Sequence, residues 1–272
     1  QGHKKTLKRN DVKIKAKEFI GEFNVVFFHP EDLNMLYLSP VLRRQYLNLL
    51  LCQTDKDYLQ ALSNYKRVIK QRNKLLWQIS ENIKPVETLE VWDEKLIENG
   101  EKIVKMRKKA IKFMNKYLEK TYQNISGGKE KLKIIYKTNA DENFAEKLQE
   151  KREKDIKKCT TSVGPHRDDM QFFLNERDIG EYGSRGEFRT VLLALKIAEI
   201  NFIEEKMGKK PVLLLDDVFS ELDPERQKHL FTSLNKCQTI ITTTDIVHIE
   251  EINEKMFVLE LKDGKLINSY VK

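Results

Sequence analysis

Residues 58–117 constrain the fold most tightly. Positions 58, 62, 65, 69, 72, 76, 79 and 83 are Tyr, Leu, Tyr, Ile, Arg, Leu, Ile and Ile, a four-three spacing that lines one face of a long helix and breaks only at Arg72. After Lys84-Pro85, positions 92, 96, 99, 103, 106, 110, 113 and 117 read Trp, Leu, Asn, Ile, Met, Ala, Phe and Tyr. Two long helices with complementary apolar seams and a short Pro-containing turn are expected to pack as an antiparallel, coiled-coil-like hairpin.

The flanking sequence follows other periods. "FNVVFFHPED" is expected to hold a buried strand, Phe23 to Phe28, closed by Pro30, and "PVLRRQYLNLLL" a helix. Beyond the break at "ISGGKEK", residues 131–138 alternate as a strand does and residues 142–158 read as a polar helix. Then come a strand "MQFFLN", a long helix "GEFRTVLLALKIAEINFIEEK", a strand "VLLLD", a helix "PERQKHLFTSLN" and a strand "QTIITTT". The ending "MFVLELKDGKLINSYV" is expected to be a hairpin turning at Asp263-Gly264. Such alternation implies an α/β layer with parallel strands.

The chemistry gathers at "PVLLLDDVFSELDPER". A fully apolar strand belongs in the middle of a parallel sheet, and functional groups of such sheets sit at the strands' carboxyl ends. Asp216 and Asp217 fall there, where one carboxylate can hold Mg²⁺ and the other can orient or deprotonate water. A plain turn cap for Asp217 is the competing reading. Upstream, Gly183 and Gly186 flank Ser184 directly before a long helix, so a hydroxyl and free N–H groups meet the positive helix terminus, a place suited to phosphate. An ordinary Ser N-cap is the alternative there.

Ser184-x-Gly186 opening a helix, an apolar strand ending in Asp216-Asp217, and "SELD" at 220–223 resemble the signature motif, Walker B and D-loop of ABC-type ATPase heads. Within that superfamily the chain is similar to the RecF family of bacterial recombinational repair proteins. "PEDLNMLYLSPVLRRQYLN", "TSVGPHRDDMQFFLN", "YGSRGEFRT", "LLLDDVFSELDPERQKHL" and "QTIITTT" carry the resemblance, which covers nearly the whole chain. Two departures stand out. Arg185-Gly186-Glu187-Phe188-Arg189 replaces the family's usual Gln-Gly-Gln-Gln-Arg, and Leu38 stands where Gly is common.

The resemblance implies the carboxyl-terminal part of a P-loop ATPase head, with a mostly parallel sheet and flanking helices, joined to an α-helical lobe. The expected divisions are 1–29 as a remnant of the amino-terminal ATPase lobe, 30–128 as the helical lobe and 129–272 as the carboxyl-terminal ATPase lobe. It also implies that Asp216 holds Mg²⁺ and that Asp217 is the catalytic base. Ser184 and Gly186 would contact the γ-phosphate held by a partner subunit, Arg189 would bind the same nucleotide, and Asp223 would lie at the dimer seam with Glu221 beside it. Thr243 or Thr244 falls where related heads often carry a switch histidine.

None of the three Gly-Lys steps, at 128, 208 and 264, belongs to a Gly-x-x-x-x-Gly-Lys-Ser/Thr loop. With its "QGHKK" start, the chain therefore reads as a RecF-type sequence truncated before the helical lobe. Such a fragment is expected to hold no ATP or Mg²⁺ tightly and to be inactive as an ATPase. The longer parent would be an ATP-gated dimer on gapped DNA that loads recombinase with RecO and RecR in the bacterial cytoplasm, near the nucleoid. A non-enzymatic DNA- or protein-binding module on an ABC-like platform is the alternative. An ABC transporter ATPase fits poorly, since such domains carry no hairpin like 58–120.

Charge supports a polyanionic partner, with 50 Lys+Arg against 42 Asp+Glu and a net charge of +8. Eight of the twenty residues Glu101–Lys120 are Lys or Arg. Lys105, Arg107, Lys108 and Lys112 are candidate DNA contacts, with a solvated helix face as the plainer reading. The three cysteines are far apart in sequence, which argues against both a disulfide framework and a zinc knuckle and for a reducing compartment. No apolar run approaches the ~20 residues of a membrane helix. His166, Arg167, Asp168 and Asp169 have poor metal spacing and are expected to form a structural hydrogen-bonded turn or a contact to the head's nucleotide region.

Overall fold

The computed structural model describes residues 6–218, 222–234, 237–244 and 256–271. A hairpin of β1 (Leu7–Arg9) and β2 (Val12–Ile14) and a short α1 (Ala16–Phe19) precede β3 (Val25–Phe28). A 3-10 turn, Pro30–Leu33, and α2 (Asn34–Tyr37) lead to α3 (Pro40–Thr54). Next come α4 (Lys56–Ser80), α5 (Glu90–Ser126), β4 (Leu132–Lys137), α6 (Phe144–Glu150) and α7 (Arg152–Lys158). The chain continues through β5 (Asp169–Leu174), β6 (Arg177–Asp178), α8 (Ile179–Tyr182), α9 (Arg185–Met207) and β7 (Val212–Asp216). It ends with α10 (Pro224–Leu234), β8 (Thr239–Thr242), β9 (Phe257–Lys262) and β10 (Lys265–Val271).

Both long helices form where the seams require, and they pack on each other. Asp55 starts α4 by accepting from the N–H groups of Asp57 and Tyr58. Arg72, the break in the seam, is fully buried: its Nε meets Asp93 at 2.6 Å, and its Nη1 meets Asp155 and Thr161, each at 2.9 Å. The polar interruption is therefore an internal ion cluster, completed by Arg152 on Asp93 at 3.0 Å. Ile83 lies past the end of α4 and is 56% exposed.

The hairpin is also docked on the rest of the chain through α5. α5 buries a second face, including Gly100, Val104, Ile111, Met114, Leu118 and Tyr122, and packs on α9, β4 and α6 as well as on α4. Gly100 is needed for this docking, because a Cβ there would lie 2.6 Å from the ring of buried Phe144. The polar helix expected over 142–158 is two helices, α6 and α7, meeting at Lys151.

The parallel layer is a three-stranded sheet in the order β3-β7-β8. β4, β5 and β6 pair instead in a separate antiparallel sheet, reached from α5 through the turn at Gly127. β9 and β10 form the expected terminal hairpin. One continuous core runs through both halves of the chain, from Val26 and Leu47 through Leu62, Ile103 and Leu118 to Leu193 and Leu215. α9 is its hub. Residues Thr190–Lys196 are buried on every side because α5, α3 and β3 all pack on that helix. None of the described helices is long and apolar enough to cross a membrane.

Candidate nucleotide and metal site

The register of the parallel sheet builds the site. Phe28 pairs with Leu215, and Asp216 with Thr242, so the residue that follows β3, His29, comes abreast of Asp216. Thr242 Oγ1 donates to Asp216 Oδ1 at 2.5 Å, and His29 Nε2 stands 3.5 Å from Asp216 Oδ2. The Asp216 side chain is 47% exposed, so its oxygens remain reachable from solvent. Asp217 follows at φ +49°, a left-handed conformation that Asp adopts more readily than most residues, and its N–H donates to the Thr242 carbonyl at 3.0 Å. That local kink turns the chain sharply at the strand end. Strain of this kind gathers at functional sites.

Asp216 fits a magnesium ion of the substrate-bridging kind. Mg²⁺ takes one or two carboxylates and fills its remaining positions with phosphate oxygens and water. Among the described residues no group of three His, Cys, Asp or Glu side chains could hold a metal ion.

The helix expected to open at Ser184 does so. Ser184 Oγ accepts from the Glu187 N–H at 3.2 Å, and Glu187 accepts from the Ser184 N–H at 2.7 Å, a closed capping box. The Ser184 N–H holds the Glu187 carboxyl below its ordinary range. The capping reading is thus realised, with the side chains of Ser184 and Glu187 also hydrogen-bonded to each other, and Ser184 remains exposed to solvent. Among the described residues a Cβ on Gly186 would meet only Arg226, at 3.8 Å, so packing among them does not require glycine there. Absence of a side chain instead leaves the backbone open to approach from outside.

Asp223 belongs to this second group. It pairs with Arg226, whose Nε donates to Thr190 Oγ1 at 2.8 Å and whose Nη2 reaches the Gly186 carbonyl at 3.4 Å. Asp223 is thereby tied to the first turns of α9. Arg189 is one turn into α9 and lines a pocket with Phe28, His29, Leu33 and Val218, which brings α9 beside the strand ends. Glu221 lies outside the described residues. Thr243 and Thr244 follow β8 directly. Leu38 ends α2 at φ −87°, a backbone that does not call for glycine.

The basic helix needs one correction. Lys105, Lys108 and Lys112 lie exposed along α5. Arg107 is 2% exposed and faces inward, donating to the Pro165 carbonyl at 2.8 Å, Asn48 at 2.9 Å and the Tyr58 hydroxyl at 3.0 Å, with Asp168 at 3.3 Å. It falls on the face of Val104, Ile111 and Met114, and so is a core residue rather than a DNA contact. Its partners include the turn after Gly164, which is structural as expected. His166 bridges the Tyr65 hydroxyl at 2.7 Å and the Thr161 carbonyl at 2.9 Å, Arg43 grips Asp169 at 2.7 and 3.1 Å, and Arg44 donates to the Asp168 carbonyl at 2.7 Å. Burial lowers the His166 pKa to about 4. The three cysteines are free, and burial raises the Cys52 thiol to about 11.

His29, Thr242 and Arg226 went unread in the sequence. The signal for His29 was its place one residue past a strand that runs parallel to β7, visible only once the two strands are paired.

No family model matches the chain. It is 46% identical over 233 residues to the DNA replication and repair protein RecF of Agathobacter rectalis, covering 85% of this chain and 64% of that protein. The chain thus spans just under two thirds of that relative's length. The solved structure of the recombination mediator protein RecF-ATPrS in the RecFOR pathway superposes with a TM-score of 0.86 at 35% identity, over 96% of this chain and 72% of that one. An Smc head bound to the C-winged helix domain of ScpA superposes with a TM-score of 0.50 at 13% identity, over 97% of this chain and 62% of that one, a likeness of fold alone.

Proposed function

Because this chain belongs to the RecF family of DNA replication and repair proteins, we propose that it supplies the signature, Walker B and D-loop half of an ATP-gated, DNA-binding dimer. The observation that carries the reading is the strand-end trio, in which Asp216 is held between Thr242 and His29 at the carboxyl end of β7. Asp216 binds the magnesium of the nucleotide, and Asp217 takes a proton from the attacking water. A bound Mg²⁺ supplies charge neutralisation on the phosphates. From the other subunit, Ser184 brings its exposed hydroxyl and Gly186 its open backbone to the γ-phosphate, while Arg189 binds nucleotide beside its own chain's strand ends. Asp223, anchored by Arg226, keeps the seam beside Gly186 in register. Divisions at residues 29 and 128 belong to this proposal too, as boundaries of ATPase and helical lobes that share one core.

No phosphate loop occurs in these 272 residues, so the chain by itself is proposed to turn over no ATP. DNA meets the exposed lysines of α5, and RecO and RecR are the proposed partners in recombinase loading, in the bacterial cytoplasm. A second reading, a binding platform that never engages ATP, is favoured only by the lack of that loop. The test is duplex–single-strand junction DNA binding across a salt series. Proposed contacts to several phosphates give a steep linear fall of log affinity with log salt; a flat dependence would remove DNA from the account.

A further inference from the structure

The outer face of α5 carries an ordered charge pattern that neither the nucleotide site nor the hairpin core uses. Along it stand Glu90, Glu94, Glu98, Glu101, Lys105, Lys108, Lys112 and Lys116, all exposed, at steps of 4, 4, 3, 4, 3, 4 and 4 residues. At about 100° per residue these positions fall within about 80° of one another, so they form one stripe about 39 Å long. Buried residues of α5, among them Leu96, Ile103, Arg107 and Met114, face the other way.

Neighbours three or four residues apart on a helix attract when opposite in charge and repel when alike. Six of the seven steps along this stripe join like charges, and only Glu101 to Lys105 joins opposites. Within its own helix the order is therefore unfavourable. Compensation of the helix dipole accounts for Glu90 in the first turn, but that effect fades beyond the terminal turn and leaves Glu94, Glu98 and Glu101 unexplained. Glu98 finds a partner sideways, in Lys102 at 2.7 Å, and both side chains stay more than half exposed.

The same order is complementary to itself. Reversing the helix about a point beside Ile103 sets Glu90 against Lys116, Glu94 against Lys112, Glu98 against Lys108 and Glu101 against Lys105, because the spacing reads identically from both ends. Glu119 lies beyond the last pair, and its counterpart, Glu87, precedes the helix. A two-fold axis at that point repeats every pair, so one stripe serves both copies.

We propose that two copies of this chain pair antiparallel through the outer stripe of α5, without nucleotide. This contact is separate from the seam at Ser184. It occupies Lys105, Lys108 and Lys112, the lysines proposed to meet DNA, so a chain paired in this way withholds them.

Sedimentation velocity of the purified chain without nucleotide, up to about 1 mM, tests it. Exposed ion pairs are individually weak and screened by salt, so the expected dissociation constant is on the order of 0.1 mM at about 50 mM salt, weakening at least about tenfold by about 300 mM. Glu94→Lys with Glu98→Lys should abolish pairing, and so should Lys108→Glu with Lys112→Glu. Mixing these two variants should restore it, since every altered position then meets its opposite on the partner copy. A monomer at every concentration overturns the proposal. So does either variant pairing alone, or a mixture of the two, with unfolding midpoints unchanged, that stays monomeric. A dimer that forms only with ATP and Mg²⁺ also overturns it and leaves the Ser184 seam standing.

Discussion

Arg107 and Arg72 show how a charged side chain is read differently from outside and from inside a fold. Arg107 sits in a run of lysines, and only its spacing from Val104, Ile111 and Met114 marks it as inward-facing. Removing it strands the buried Asp168 carboxylate without its guanidinium. Arg107→Ala is therefore expected to cost about 3–5 kcal/mol in urea unfolding, the penalty of an uncompensated buried charge. Arg72 was legible as an anomaly in an apolar seam, although its partners on α5 and α7 were not, because no local pattern reports contacts between distant elements. His166 yields a pH prediction. Burial favours its neutral form, with a folded pKa of about 4 against an ordinary 6.5, so the unfolded chain takes the proton first. Stability is complete above pH 6.5 and declines as pH falls toward 4, by up to about 3 kcal/mol from this residue. Urea midpoints at several pH values should show a shallower decline for His166→Gln than for the unsubstituted chain, a difference in which the other titrating groups cancel.

Among the elements, α5 does two jobs on opposite faces. Its inner face needs Gly100, since a methyl there enters the ring of Phe144. Gly100→Ala should destabilise the chain by about 1–3 kcal/mol despite the better helix propensity of alanine, because overpacking outweighs the ~1 kcal/mol gain. A more stable variant in thermal unfolding would place α5 farther from α6 than described. Its outer face carries Lys105, Lys108 and Lys112 across about 10 Å of helix. Replacing all three with Gln should reduce the slope of log affinity for duplex DNA against log salt by roughly 2–3 and leave the unfolding midpoint nearly unchanged. The helices themselves were readable from periodicity, since each carries a polar side. What periodicity could not reveal was the second buried face of α5, because a helix covered on both sides loses its single-stripe signature. The antiparallel β4-β5-β6 sheet was hidden for a related reason: alternation marks a strand without naming its partner.

At the scale of the molecule, α9 joins everything the function needs. It opens at Ser184, passes Arg189 beside the strand ends, and buries Lys196 against the turn that carries His29. Under the proposed reading, Ser184 and Asp216 on one core serve two different nucleotides, one facing the chain's own strand ends and one offered by a partner. The aspartates and the serine were legible because each stands where a strand ends or a helix begins. The trio of His29, Asp216 and Thr242 was not, for it exists only in the pairing of three strands that are distant in sequence. The central claim is that this site is divided and that these residues form its signature and Walker B half. ATP binding and turnover by the purified 272-residue chain test it most directly. The account predicts an affinity no tighter than millimolar and no Mg²⁺-dependent phosphate release. Micromolar binding, or turnover that disappears in Asp217→Asn, would contradict it.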